Sequence, residues 1–65
     1  MPSTVIRRFD YDASAHMLDI QFVSGRRYRY FDVPEKVMER MRAAPSKGRF
    51  FNARVRGRYR FAQLR

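Results

Sequence analysis

The stretch HMLDIQFV, residues 16 to 23, alternates Leu18, Ile20 and Phe22 with Asp19 and Gln21. Alternation at a period of two is the mark of a β-strand with one buried and one wet face. Upstream, Val5 to Tyr11 is rich in β-branched and aromatic residues, and the turn formers Asp12 to Ala15 join it to this strand. Downstream, Ser24-Gly25 marks a tight turn before Arg26 to Asp32. The segment 5–32 therefore reads as an antiparallel meander of three strands.

The register of the second turn decides what the interleaved stretch RRYRYFD is for. A two-residue loop at Ser24-Gly25 would set Arg27 and Arg29 beside Leu18, Ile20 and Phe22, burying charge against an apolar stripe, which is costly. A three-residue loop, Val23-Ser24-Gly25 with Gly25 in the left-handed conformation, pairs Phe22 with Arg26, Ile20 with Tyr28 and Leu18 with Tyr30. Tyr28 and Tyr30 then complete the apolar face, while Arg27 and Arg29 point outward opposite Gln21 and Asp19. The second register is the expected one, and it makes the tyrosines core residues rather than an exposed stacking platform.

A helix should follow. Pro34 suits a first helical position, Asp32 and Glu35 have the spacing of a capping pair, and Pro45 stops the segment. Val37, Met38, Met41 and Ala44 share a side that would lie on the Leu18, Ile20, Tyr28 and Tyr30 face. Ser46 caps a second helix over 47–56 in which Phe51, Val55 and Tyr59 recur at helical spacing, with Phe50 beside them; Gly48 and Gly57 weaken it. Tyr59 to Leu64 either adds a short strand or trails off as a tail. The expected fold is α+β: a three-stranded antiparallel meander covered on one face by one or two C-terminal helices, with residues 1–65 as one domain.

A chain of 65 residues buries only about 60% of the surface it exposes when unfolded, so its core is marginal. There is no Cys and a single His, His16, which leaves no thiolate or histidine-rich metal site, and no cofactor is expected. No apolar run approaches the roughly 18 to 20 residues of a membrane span, and Met1 to Asp10 lacks a signal-peptide core, so the expected compartment is the cytoplasm. The net charge of +9 is lopsided: residues 1–46 hold eight basic and six acidic side chains, residues 47–65 seven basic and none acidic. Such a field attracts polyanions. Thirteen of the 15 cations are Arg, whose planar fork can grip a phosphate with two hydrogen bonds. The bland alternative is a charge that serves solubility.

Tyr28-Arg29-Tyr30, then Val33-Pro34, then Ser46-Lys47-Gly48-Arg49-Phe50-Phe51-Asn52, with Val55 and Tyr59 after it, resembles the KTSC domain. Ile6, Phe9 and Tyr11-Asp12 also fit its opening, so the resemblance covers nearly the whole chain. The family is named for its occurrence at the C-terminus of some lysyl-tRNA synthetases and also includes stand-alone bacterial proteins. The resemblance implies an RNA-related role without catalytic residues. Phe50 stands where Tyr is common in the family.

Chemistry-bearing residues are few. His16 beside a turn reads as a solvated strand end, and Asp10 and Asp12, which share a strand face, read as turn caps more readily than as an acid-base pair. Catalysis is not expected. Two surfaces remain as candidates for binding nucleic acid, RNA before DNA: the outer sheet face with Arg8, Arg27 and Arg29 around Asp19, and the C-terminal set of Lys47, Arg49, Asn52, Arg54, Arg56, Arg58 and Arg60. The C-terminal set is favoured because it has no acids to neutralise it. On a helix Arg49 and Arg56 would share a face with Asn52 between them. The alternative class is a protein-interaction module, a homodimer pairing through the free edge of strand one or strand three.

Overall fold

Strands β1 (Ile6–Asp12), β2 (Met17–Phe22) and β3 (Arg27–Tyr30) form the expected meander in the computed structural model, which describes residues 6–64. Val5, assigned above to the first strand, lies outside the described residues. The second turn adopts the three-residue loop. Leu18 pairs with Tyr30, Ile20 with Tyr28, Asp19 with Arg29 and Gln21 with Arg27. Gly25 has φ +95°, its N–H donates to the Phe22 carbonyl at 2.9 Å, and the Phe22 N–H donates to the Arg26 carbonyl at 2.9 Å. No atom would meet a Cβ at Gly25, so the backbone angle alone calls for glycine there.

The β1–β2 turn is organised by Asp12, whose carboxylate accepts from the Ser14 hydroxyl at 2.7 Å and from the Ser14 and Ala15 amides at 3.1 and 3.2 Å. Those bonds favour the charged form, and chiefly the Ser14 hydroxyl holds the Asp12 pKa below its ordinary value. β1 joins β2 with Phe9 opposite Ile20 and Tyr11 opposite Leu18, and one extra residue, Arg7, is accommodated by a bulge between Ile6 and Arg8.

Helix α1 (Glu35–Ala43) follows β3, with Met38 and Met41 fully buried and Val37 packed against the same core. The expected cap is not formed. Pro34 is the N-cap residue, in extended conformation and with no side-chain cap, and Asp32 is instead at φ +57° with its carboxylate 3.6 Å from the Arg60 guanidinium. Asp is among the few residues that enter the left-handed region readily, and doing so turns its side chain from the helix to the opposite strand.

The second helix covers nearly the expected residues but changes type within them. Ser46 accepts from the Arg49 amide and starts α2 (Lys47–Phe50), which continues as a π-helical turn, Phe51–Val55, closed by the Arg56 N–H to the Phe51 carbonyl at 2.9 Å. Phe51 and Val55 are fully buried. Gly57, at φ +78°, then terminates the helix and reverses the chain. The result is a fourth strand, β4 (Phe61–Leu64), antiparallel to β3 with Tyr30 opposite Phe61 and Arg27 opposite Leu64. The sheet therefore has four strands in the order β1-β2-β3-β4, not three, and the β3 edge proposed for dimer pairing is taken by β4. No helix among the described residues is long and apolar enough to cross a membrane.

One core cluster joins the layers: Leu18, Ile20, Phe22 and Tyr30 from the sheet, Val33 from the connection, Met38 and Met41 from α1, and Phe51 and Val55 from the π turn. Tyr11 anchors β1 to the connection by donating its hydroxyl to the Val33 carbonyl at 2.6 Å.

Three outcomes test this account in denaturant melts. Tyr30→Ala, which truncates a ring only 5% exposed, should cost about 3–5 kcal/mol, whereas Arg27→Ala on the wet face should leave the midpoint nearly unchanged. Gly25→Ala should cost about 1–2 kcal/mol through backbone strain alone. Because the folded-state pKa of Asp12 is depressed, its contribution is complete above the ordinary value of 3.8 and is lost as pH falls through the lower folded value. Melts of Asp12→Ala should show a flatter loss of stability below about pH 4 than those of the wild type.

Candidate functional site

The outer sheet face carries Arg8, Asp10, Asp19, Gln21, Arg27 and Arg29, brought side by side by the β1–β2–β3 register. Its charges largely cancel. Arg29 makes a two-pronged contact with Asp19 at 2.8 and 3.1 Å, which raises the Arg29 pKa, and Arg8 lies 3.8 Å from Asp10. Of the three arginines assigned to this face, Arg27 is the one that no carboxylate pairs among the described residues.

The C-terminal set divides. Lys47 donates to the Arg42 and Ala44 carbonyls, both at 2.9 Å, so its ammonium closes the end of α1. Arg60 is tied to the β3–α1 connection by Asp32, by its own carbonyl accepting from the Phe31 N–H at 2.9 Å, and by its guanidinium 5.5 Å over the Phe31 ring. Arg49, Asn52, Arg54, Arg56 and Arg58 remain together along α2, the π turn and the bend after it, and all are exposed. Arg56 reaches Asn52 Oδ1 at 3.5 Å and Arg58 reaches the Ala53 carbonyl at 3.3 Å, contacts that leave both guanidinium charges unneutralised. Among the described residues no carboxylate pairs with Arg49, Arg54, Arg56 or Arg58. Asn52, placed between Arg49 and Arg56 in the basic set, is exposed.

The structure adds a groove that pattern reading did not assemble. On the helix-bearing side, beyond the end of the π turn, Phe22, Tyr28, Tyr30, Phe51 and Phe61 line an open cavity of about 570 Å³, with Ser24, Arg26, Arg56 and Gly57 at its mouth. The five rings form a closed circuit. Edge-to-face contacts link Phe22 to Tyr28 at 5.7 Å, Tyr28 to Phe61 at 5.7 Å, Tyr30 to Phe51 at 5.3 Å and Phe51 to Phe22 at 5.4 Å, and a tilted contact links Phe61 to Tyr30 at 5.4 Å. Tyr30 is core, as the register required, but Tyr28 is only half-buried and Phe61 is 57% exposed. Burial raises the Tyr30 pKa, against which the Arg56 charge acts, so Arg56 is felt at that hydroxyl. Arg26 was absent from the sequence-derived set; the signal for it was the three-residue loop itself, which sets Arg26 directly opposite Phe22.

The residues weighed for catalysis lie at the β1–β2 end of the sheet. His16 is an exposed turn residue at φ +55° whose carbonyl accepts from the Val33 N–H at 2.9 Å. Asp12 is committed to its turn and Asp10 to Arg8. No group of three or more potential metal ligands is found among the described residues.

The sequence profile of the KTSC domain matches residues 2–59. A lysine–tRNA ligase of Nostoc punctiforme is 44% identical over 61 residues, which are 94% of this chain and 11% of that protein. A protein of Tsukamurella paurometabola is 37% identical over 62 residues, 95% of this chain and 92% of its own length. The crystal structure of a KTSC domain protein from Yersinia pestis superposes with a TM-score of 0.88 at 35% identity, covering 100% of this chain and 92% of that one. The chain thus spans about a tenth of the lysine–tRNA ligase it matches and nearly all of the small proteins.

Lys47 and Arg54 should behave differently despite their common charge. Lys47→Ala, which removes the ammonium bonded to the Arg42 and Ala44 carbonyls, should lower stability by about 0.5–1 kcal/mol, while Arg54→Ala should leave the urea midpoint where it was.

Proposed function

The chain belongs to the KTSC domain family, and we propose that it is a small non-catalytic cytoplasmic module that binds single-stranded nucleic acid, RNA in preference to DNA, through the arginines of the α2–π segment. The observation that carries this reading is that Arg49, Arg54, Arg56 and Arg58 are exposed along one short segment with no carboxylate partner among the described residues. Unpaired guanidinium groups at this density favour an occupant with regularly spaced negative charge, and phosphates release condensed counterions when arginines replace them. The balanced charge of the outer face makes it the weaker candidate. RNA is preferred because several relatives that contain the matching segment are named lysine–tRNA ligase, so the domain keeps company with an activity on tRNA.

If these four arginines contact about four phosphates, log affinity for a short labelled single-stranded RNA should fall against log salt with a slope of roughly −3. The double substitution of Arg49→Ala and Arg54→Ala should halve that slope without changing base preference, because phosphate contacts position the chain and do not specify it. Replacing the same two by Lys should keep most of the slope and lose some affinity, since a point charge lacks the two-pronged grip. Arg8→Ala with Arg27→Ala should bind as the wild type does. Fluorescence titrations at several salt concentrations measure all four; loss of binding in the Arg8 and Arg27 variant alone would move the site to the outer face.

A further inference from the structure

We propose that the five-ring groove is a seat for one unstacked nucleobase of the bound strand, with Arg26 and Arg56 at its mouth holding the adjoining phosphates. It rests on the nucleic-acid reading above and adds to it a place, a ligand group and residues, Arg26, Tyr28 and Phe61, that the arginine segment does not contain. The lining selects its occupant by chemistry. Among the described residues no acid lines the groove, and two arginines do, so the occupant carries negative charge. Its floor and walls are aromatic, so the occupant presents a flat π-face. A nucleotide has both properties in one molecule, whereas an acidic peptide has the charge without the face. The volume of about 570 Å³ falls inside the roughly 300–1,000 Å³ of clefts that hold small ligands, enough for one nucleotide and too little for a duplex.

The construction also explains why the seat stays open. Each ring is held by its neighbours in the circuit, so Tyr28 and Phe61 keep their positions without a helix over them. Phe61 is the most exposed of the five, on a strand whose register places it against Tyr30. Gly57 lines the groove without a side chain, and beyond its chain neighbours nothing stands within 4 Å of where its Cβ would be. Among the described residues no protein group hydrogen-bonds the hydroxyls of Tyr28 and Tyr30, and both line the groove. Tyr30, like any phenol, is protonated at neutral pH, and its O–H can donate to a base edge. The strand's path follows from this: phosphates along Arg49 to Arg58, one base turned inward past Arg56.

The test compares three labelled pentanucleotide probes with equal phosphate number: oligo-U, oligo-A and an abasic ribose-phosphate chain. The two base-bearing probes should bind roughly tenfold or more tightly than the abasic one, all three with the same salt slope. Phe61→Ala, at an exposed position outside the core cluster, should bring the three affinities together with its denaturant midpoint still showing a folded chain, whereas the Arg49 and Arg54 double variant should weaken all three in parallel. The chain contains no Trp, so Phe61→Trp installs a reporter whose fluorescence should be quenched by oligo-U and oligo-A and not by the abasic chain. Equal binding of all three probes by the wild type overturns the base seat and leaves the phosphate reading standing. Failure to bind any probe at low salt overturns both. If sedimentation shows a wild-type dimer that Phe61→Ala dissociates, the groove is an interface between copies and the base seat is wrong.

Discussion

The left-handed turn at Gly25 is the constraint on which the rest of the molecule depends. It adds one residue to the β2–β3 loop, and because side chains alternate along a strand, one residue decides which half of β3 meets the core. With the extra residue, Tyr28 and Tyr30 join Leu18, Ile20 and Phe22 on the face that α1 and the π turn cover. Without it, Arg27 and Arg29 would occupy that face, and no carboxylate on α1 or the π turn is placed among the buried residues to receive them. The same residue sets Arg26 across from Phe22, where it borders the groove. The core face of β3 and the position of Arg26 both follow from that one turn.

A second glycine plays the matching part at the other end. The π turn packs Phe51 and Val55 into the core, and Gly57 then sends the chain back along β3. β4 is short and three of its four residues are exposed, so burial on its own account does little to hold it. Its anchorage comes from the ladder with β3, from Phe61 against Tyr28 and Tyr30, and from Arg60 against Phe31 and Asp32. The aromatic circuit is thus assembled from three separate parts of the chain: the β2–β3 hairpin, the π turn and β4. A domain with so small a core gains from such a circuit, since each edge-to-face contact adds about 0.5–1.5 kcal/mol beyond the area buried.

Charge is arranged in two ways on one small surface. On the outer face of the sheet Arg8 lies 3.8 Å from Asp10 on its own strand, and Asp19 with Arg29 makes the cross-strand pair expected from the register. Along the α2–π segment no arginine has such a partner among the described residues. Two members of the sequence-derived basic set also make contacts within the fold: Lys47 donates to carbonyls at the end of α1, and Arg60 lies 3.6 Å from Asp32 in the connection between β3 and α1. Counting cations in a sequence cannot separate those roles, because the partners of Lys47 are backbone carbonyls and that of Arg60 is 28 residues away.

Local chemistry is what the sequence determined by itself. The alternation of Leu18, Ile20 and Phe22, the cost of burying Arg, the left-handed preference of Gly25, the Ser46 cap and the methionine stripe of α1 each depend on residues within one element or one turn, and each is found as read. Only the tertiary structure decided the rest, and each case involves partners distant in the chain. Phe61 to Leu64 has no alternation to announce a strand and becomes one by pairing with β3 across some thirty residues. Asp32 has the spacing of a helix cap and turns instead to Arg60. The groove draws on residues from 22 to 61. Periodicity reports which side of an element is apolar; which apolar sides meet, and what they leave uncovered between them, is set by packing in three dimensions.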